Sequence, residues 1–88
     1  MKYRVYILRS EKDSSFYIGH TSNLEKRLIQ HNMSRSGYTS RKKPWKLVYS
    51  EVYDLKSEAI KREKFLKKQK NKAFYESLIN NWSGSSVG

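Results

Sequence analysis

The sequence predicts one mixed α/β domain, and three observations carry that expectation. Residues 3–9 alternate with a period of two, and Phe16-Tyr17-Ile18-Gly19 resumes a β-rich run after a polar interruption. Trp45 to Tyr53 forms a third run rich in aromatic and β-branched residues. Around these runs lie stretches whose apolar residues recur at three- and four-residue spacing, as helices require. Eighty-eight residues leave room for one domain. It is expected over residues 1–80, with a disordered tail at 81–88, where Ser83-Gly84-Ser85-Ser86-Val87-Gly88 shows no periodicity.

In the first strand Tyr3, Val5 and Ile7 point one way and Arg4, Tyr6 and Leu8 the other. Ser10 to Ser15 reads as a turn, so the first two strands make a hairpin. A register in which opposed residue numbers sum to 23 sets the loop at 10–13 and Tyr6 opposite Tyr17. A helix follows, capped by Thr21, Ser22 or Asn23. Ser22 to Glu25 fits a capping box. Leu24 and Leu28 form its apolar face, with Arg27 and His31 on a neighbouring face. Residues 34–44 read as a basic, flexible loop. After the third strand, a long helix is expected over 55–69 and a shorter one over 71–80. The apolar stripe of the long helix runs Leu55, Ala59, Leu66, and Glu63 falls near its middle.

Charge narrows the function. Nineteen Lys and Arg against eight Asp and Glu give a formal net charge of +11. From Arg41 to Lys72 there are twelve basic residues and four acidic ones. That asymmetry points to a polyanionic partner, most often nucleic acid, against the plainer reading of a lysine-solvated helix face. Lys42, Lys43, Lys61, Lys64, Lys67 and Lys68 are the candidate phosphate contacts. With no cysteine there is neither a disulfide nor a thiolate metal site. The opening apolar run is broken at Arg9, too short for a membrane span. A cytoplasmic location is expected, with no membrane and no obligate protein partner.

The chemistry-bearing groups are few. Nothing has the spacing of a zinc cluster, a glycine-rich phosphate loop or a Ser/His/Asp set. Glu63 stands out, because a carboxylate in an apolar stripe must be paired or bound to a cation. Its partner is either a cationic side chain, Arg27 or Arg62, or a hard divalent ion, which prefers carboxylate and water. Tyr6 and Tyr17 read equally well as amphipathic residues of a half-buried sheet. His20 and His31 read as exposed polar groups.

Taken in order, Val5-Tyr6-Ile7, Phe16-Tyr17-Ile18-Gly19-His20-Thr21 and Leu24 to Asn32 resemble the GIY-YIG nuclease superfamily, most nearly its small single-domain bacterial members. Pro44 to Tyr49 and Ser57 to Glu63 extend the resemblance, which covers roughly residues 3–79. It implies a central three-stranded antiparallel sheet flanked by helices. It also implies hydrolysis of DNA phosphodiesters with one divalent metal, Mg²⁺ or Mn²⁺, the partner then being DNA. Nothing in the sequence resembles a separate recognition domain, so little sequence specificity is expected. Tyr6 matches the tyrosine of the first half-motif, and Tyr17 and Gly19 match the second. Arg27 matches the helix arginine, His31 follows it by one turn, and Glu63 matches the metal-binding glutamate. By the resemblance, Tyr6 or Tyr17 acts as general base, its phenolate favoured by nearby cationic charge. Arg27 holds the scissile phosphate, and Gly19 lets the backbone turn and the phosphate approach. Arg4 stands where the first half-motif has glycine, and His20 stands where some relatives carry lysine, as a proton carrier or phosphate donor. The asparagine of some homing enzymes has candidates in Asn71 and Asn80. The alternative is a catalytically weak or inactive module that binds DNA or RNA, with Tyr38, Trp45 or Phe65 stacking on unpaired bases.

Overall fold

The computed structural model describes residues 2–33 and 38–82. Strands β1 (Tyr3–Ser10), β2 (Phe16–Thr21) and β3 (Trp45–Tyr53) form one antiparallel sheet in the order β2-β1-β3. Helix α1 (Leu24–Met33) follows β2, the short α2 (Tyr38–Lys42) precedes β3, and α3 (Lys56–Gln69) and α4 (Lys72–Asn80) complete the chain. The α/β class and the sheet flanked by helices are as expected. Part of the expected loop at 34–44 is the helix α2, and residues 34–37 of it lie outside the described residues. So does most of the expected tail. Of its two described residues, Trp82 lies with its ring 6.2 Å from that of Tyr49.

The hairpin register differs from the expected one by two residues. Tyr6 stands opposite Gly19, and Tyr17 opposite Leu8. Because side chains alternate with period two, an offset of two keeps Tyr6 and Tyr17 on one face, now as diagonal neighbours. The longer loop, 11–15, explains the difference. The Ser10 hydroxyl accepts from the amides of Lys12 and Asp13 and donates to the Lys42 carbonyl at 2.6 Å. Ser14 takes a positive φ of 66° to finish the turn.

Alternation divides the sheet into two faces with separate cores. Val5, Ile7 and Ile18 pack against Ala59 and Leu66 of α3 and Tyr75 of α4. Tyr6, Leu8 and Trp45 pack with Tyr17, Leu24, Leu28 and Leu47, which seats α1 on the opposite face. A bulge in β3 makes the second core possible. Tyr49 faces Ile7 but Leu47 faces Leu8, so one residue is added and the strand's side chains change sides. Tyr49, Glu51 and Tyr53 therefore look towards α3, and Trp45 and Leu47 towards α1.

Helix ends are set by named side chains. Asn23, not Ser22, caps α1: its Oδ1 accepts from the Lys26 amide at 3.0 Å. Asn71 caps α4 through the Phe74 amide, so it is occupied as a cap. Tyr75 donates to the Leu66 carbonyl at 2.6 Å, satisfying an orphan acceptor at the end of α3. Leu55, expected in the apolar stripe, is the exposed residue before α3, while Ala59 and Leu66 are fully buried.

A half-buried carboxylate locks α3 to the sheet. Glu51 accepts from Tyr49, from Tyr53 at 2.6 Å and from Arg62 Nε and an Arg62 terminal nitrogen, each at 3.0 Å. Burial and then the Glu51 carboxylate push both tyrosines up to about 12, from 10.0 in the unfolded chain. The unfolded chain thus releases these protons first. Their contribution to stability is intact below pH 10 and is lost as pH rises towards 12. The urea midpoint is expected to fall between pH 9 and pH 11, and to fall less in the Tyr49→Phe/Tyr53→Phe double variant. Equal falls in the two proteins would show that the general loss of lysine charge, not this network, governs alkaline unfolding.

Candidate active site

The two half-motif tyrosines, the helix arginine and His31 meet on the α1 face of the sheet. Tyr6 is fully buried in the middle strand, its ring stacked on that of Tyr17 at 6.5 Å. One helical turn separates Arg27 from His31, so α1 delivers both to the same rings. His31 is buried, contrary to the expected exposed group, and its Nε2 lies 3.0 Å from the Tyr6 hydroxyl. Its ring also meets that of Tyr17 edge-on at 4.7 Å. Arg27 donates to Gln30 at 3.4 Å, and its charge acts on both tyrosines, which in turn favour its protonated form.

Gly19 occupies a strand position rather than a turn. A Cβ there would sit 2.7 Å from the Tyr6 hydroxyl oxygen and 3.3 Å from the Tyr17 ring. The residue is glycine because the Tyr6 ring lies across the strand at that point. Trp45 closes the far side, 5.9 Å from the Tyr17 ring, and is itself buried. It is therefore not a free platform for bases. Nothing in its composition distinguished it from the other strand aromatics; its role depends on the β3 bulge. Asn32 carries no signal in the sequence that sets it apart from other polar helix residues. Its side chain accepts from the Trp45 amide at 2.5 Å and donates to the Trp45 carbonyl at 3.2 Å, tying α1 to the start of β3.

The electrostatics of this pocket favour neutral groups with a cation beside them. Burial raises the Tyr6 hydroxyl above its usual range, and the Arg27 hydrogen bond, acting the other way, does not overcome it. The expected stabilisation of a phenolate is thus present in direction but outweighed. Burial, and then the charge of Arg27, lower His31 and keep its imidazole neutral near pH 7.

Glu63 approaches from the other face. His20, next to Gly19, points towards α3, and its Nδ1 hydrogen-bonds Glu63 Oε1. Lys67 Nζ lies 2.6 Å from Glu63 Oε2. The ionic partner of Glu63 is therefore neither Arg27 nor Arg62, the latter being committed to Glu51. Burial works to raise the Glu63 carboxyl, but Lys67 and His20 more than offset it and hold it low. What links the two groups is β2, an edge strand: Lys67, the partner of Glu63, and Tyr17 line one cavity of about 330 Å³ there. Among the described residues no group of three or more His, Cys, Asp or Glu is placed to hold an ion. A hard divalent cation that keeps most of its waters nevertheless fits the single, ionised Glu63 carboxylate.

The remaining candidates divide. Lys61, Lys64, Lys67 and Lys68 line a second concavity of about 580 Å³ along α3, together with the exposed Phe65. Lys42 is drawn instead to the hairpin, where it pairs with Asp13 and Ser15, and Lys43 beside it is exposed. Among the described residues no helix is long and apolar enough to cross a membrane.

Comparison with known proteins agrees with this geometry. The family model described as the GIY-YIG catalytic domain matches residues 2–77. A UPF0213 protein of Staphylococcus saprophyticus is 46% identical over 63 residues, spanning 70% of this chain and 76% of its own. A UPF0213 protein of Clostridium perfringens is 49% identical over 65 residues, covering 73% of this chain and 69% of that protein. The solution NMR structure of a UPF0213 protein from Bacillus halodurans superposes with a TM-score of 0.55 at 27% identity. It covers 91% of this chain and 84% of that one. The half-motif tyrosines, the helix arginine and a match over nearly the whole length converge: the chain belongs to the GIY-YIG family and carries its nuclease-type domain.

Proposed function

We propose that this protein is a metal-dependent endonuclease that hydrolyses DNA phosphodiester bonds in the cytoplasm with little sequence selectivity, its nuclease domain spanning residues 1–80. The observation that carries the proposal is the meeting of Tyr6, Tyr17, Arg27 and His31 in one pocket, with the ionised Glu63 across the edge strand. Tyr6 is the better candidate for general base, because its hydroxyl lies 3.0 Å from the buried His31 Nε2, which can take its proton. With its Nδ1 protonated, neutral His31 accepts from the Tyr6 hydroxyl through Nε2. Tyr6 can then take a proton from the attacking water while passing its own to His31, with no free phenolate needed. Tyr17 borders the cavity at the edge strand and orients the water or phosphate there. Arg27 holds the phosphate and offsets charge developing on it. Glu63 would hold the Mg²⁺ or Mn²⁺ ion, with His20 beside it, and the ion when bound would polarise the phosphoryl oxygen. Lys61, Lys64 and Lys68 offer backbone contacts without base readout.

The test is incubation of purified protein with labelled single-stranded, duplex and branched DNA, and with RNA, each with and without Mg²⁺ or Mn²⁺. Cleavage of DNA only when metal is present is the expected result. Binding without cleavage in every combination would overturn it in favour of a nucleic-acid-binding module. The engagement of both Glu63 oxygens is the observation that favours that second reading.

A further inference from the structure

Lys67 stands where two concavities meet. It lines the cavity at the edge strand with Tyr17, and also the groove along α3 with Lys61, Lys64, Phe65 and Lys68. Its ammonium pairs with one oxygen of Glu63 while His20 holds the other, so the carboxylate has no oxygen left unengaged. Of these partners the lysine is the one that can leave. Its side chain is 54% exposed on a long flexible stem, whereas that of His20 is 27% exposed on a strand.

We propose that Lys67 is a stand-in cation: it neutralises Glu63 while no divalent ion is bound, and its ammonium moves to a phosphate in the α3 groove when one arrives. The inference rests on the nuclease reading above. An ammonium and a dication repel each other at a shared carboxylate, so the ion displaces the lysine. A polynucleotide in the groove offers that lysine a replacement anion, in a field already made positive by Lys61, Lys64 and Lys68. Ion and nucleic acid therefore favour each other's binding, and by linkage the coupling is reciprocal. An idle protein holds Glu63 satisfied, and assembly of the site awaits both ligands.

An ordinary i,i+4 helix pair would be a spectator. The test is titration of the full chain with Mn²⁺ alone, followed by electron paramagnetic resonance of the free ion, with no nucleic acid present. Lys67→Met is expected to tighten Mn²⁺ binding about three- to tenfold. Lys64→Met, which removes a neighbouring charge but no Glu63 partner, is expected to change it less than twofold. Equal tightening in the two variants, or none in Lys67→Met, would overturn the proposal. In Ca²⁺, Lys67→Met is expected to weaken binding of a short duplex and to reduce its salt slope by about one. An unchanged slope would overturn the transfer to phosphate. Failure here is distinguishable from failure of the nuclease reading, which would show as Mn²⁺ affinity that is the same in wild type and in Glu63→Gln.

Discussion

Glu63→Gln is expected to lower metal-dependent cleavage by about 10²–10³-fold while leaving the fold intact. The substitution keeps the shape of the side chain and removes its charge, and hard divalent ions bind carboxylates far better than amides at sites with so few protein ligands. The fold should tolerate it, because the Glu63–Lys67 pair is a helical i,i+4 contact worth about 0.3–0.5 kcal/mol. The glutamine can still hydrogen-bond His20. The paired measurement is cleavage rate against Mn²⁺ concentration together with a thermal melt. Loss of cleavage at an unchanged melting temperature is the expected outcome. Cleavage within threefold of wild type would remove Glu63 as the metal ligand, or show that a contaminating nuclease did the cutting.

How much of this was legible in the sequence depends on how local each determinant is. Period-two alternation, the aromatic third run and the helical spacings identified all three strands and three of the four helices, because each is written within a few residues. The α1 cluster was legible in part. The i,i+4 relation of Arg27 and His31 is local, but the burial of His31 follows from where α1 lands on the sheet. The hairpin register depended on how many residues the Ser10 hydroxyl gathers into the loop, a tertiary matter involving Lys42. The partners of Glu63 were not legible at all. An expected arginine partner gave way to His20 from β2 and to Lys67 of its own helix. Arg62, adjacent in sequence, points instead to Glu51. A signal for Glu51 did exist: it alternates with Tyr49 and Tyr53 on one strand face, a carboxylate between two phenols. Recognising it required knowing that the β3 bulge turns that face towards α3.

Gly19→Ala is expected to destabilise the protein by about 1–3 kcal/mol, and to lower its melting temperature by roughly 4–8 °C for each kcal/mol in a domain of this size. No positive φ or turn is involved. The argument is space: the added methyl would lie 2.7 Å from the Tyr6 hydroxyl oxygen and 2.9 Å from the ring carbon that bears it. Tyr6 cannot simply swing clear. Its ring is fully buried, stacked on Tyr17 and in edge contact with His31. Relief therefore means moving the hydroxyl away from His31 Nε2, the proton acceptor on which the proposed base depends. Stability and activity should fall together. Cleavage should fall even at temperatures where the variant remains folded, since a displacement of about 1 Å at a reacting group is enough to lose about 10²-fold. The check is a thermal melt and a metal-dependent cleavage assay on the same preparation. A variant that melts with the wild type would mean that the Tyr6 ring relaxes freely over Gly19. A variant that melts early but cleaves at the full rate while folded would separate the packing of Tyr6 from its chemistry and move the role of general base to Tyr17.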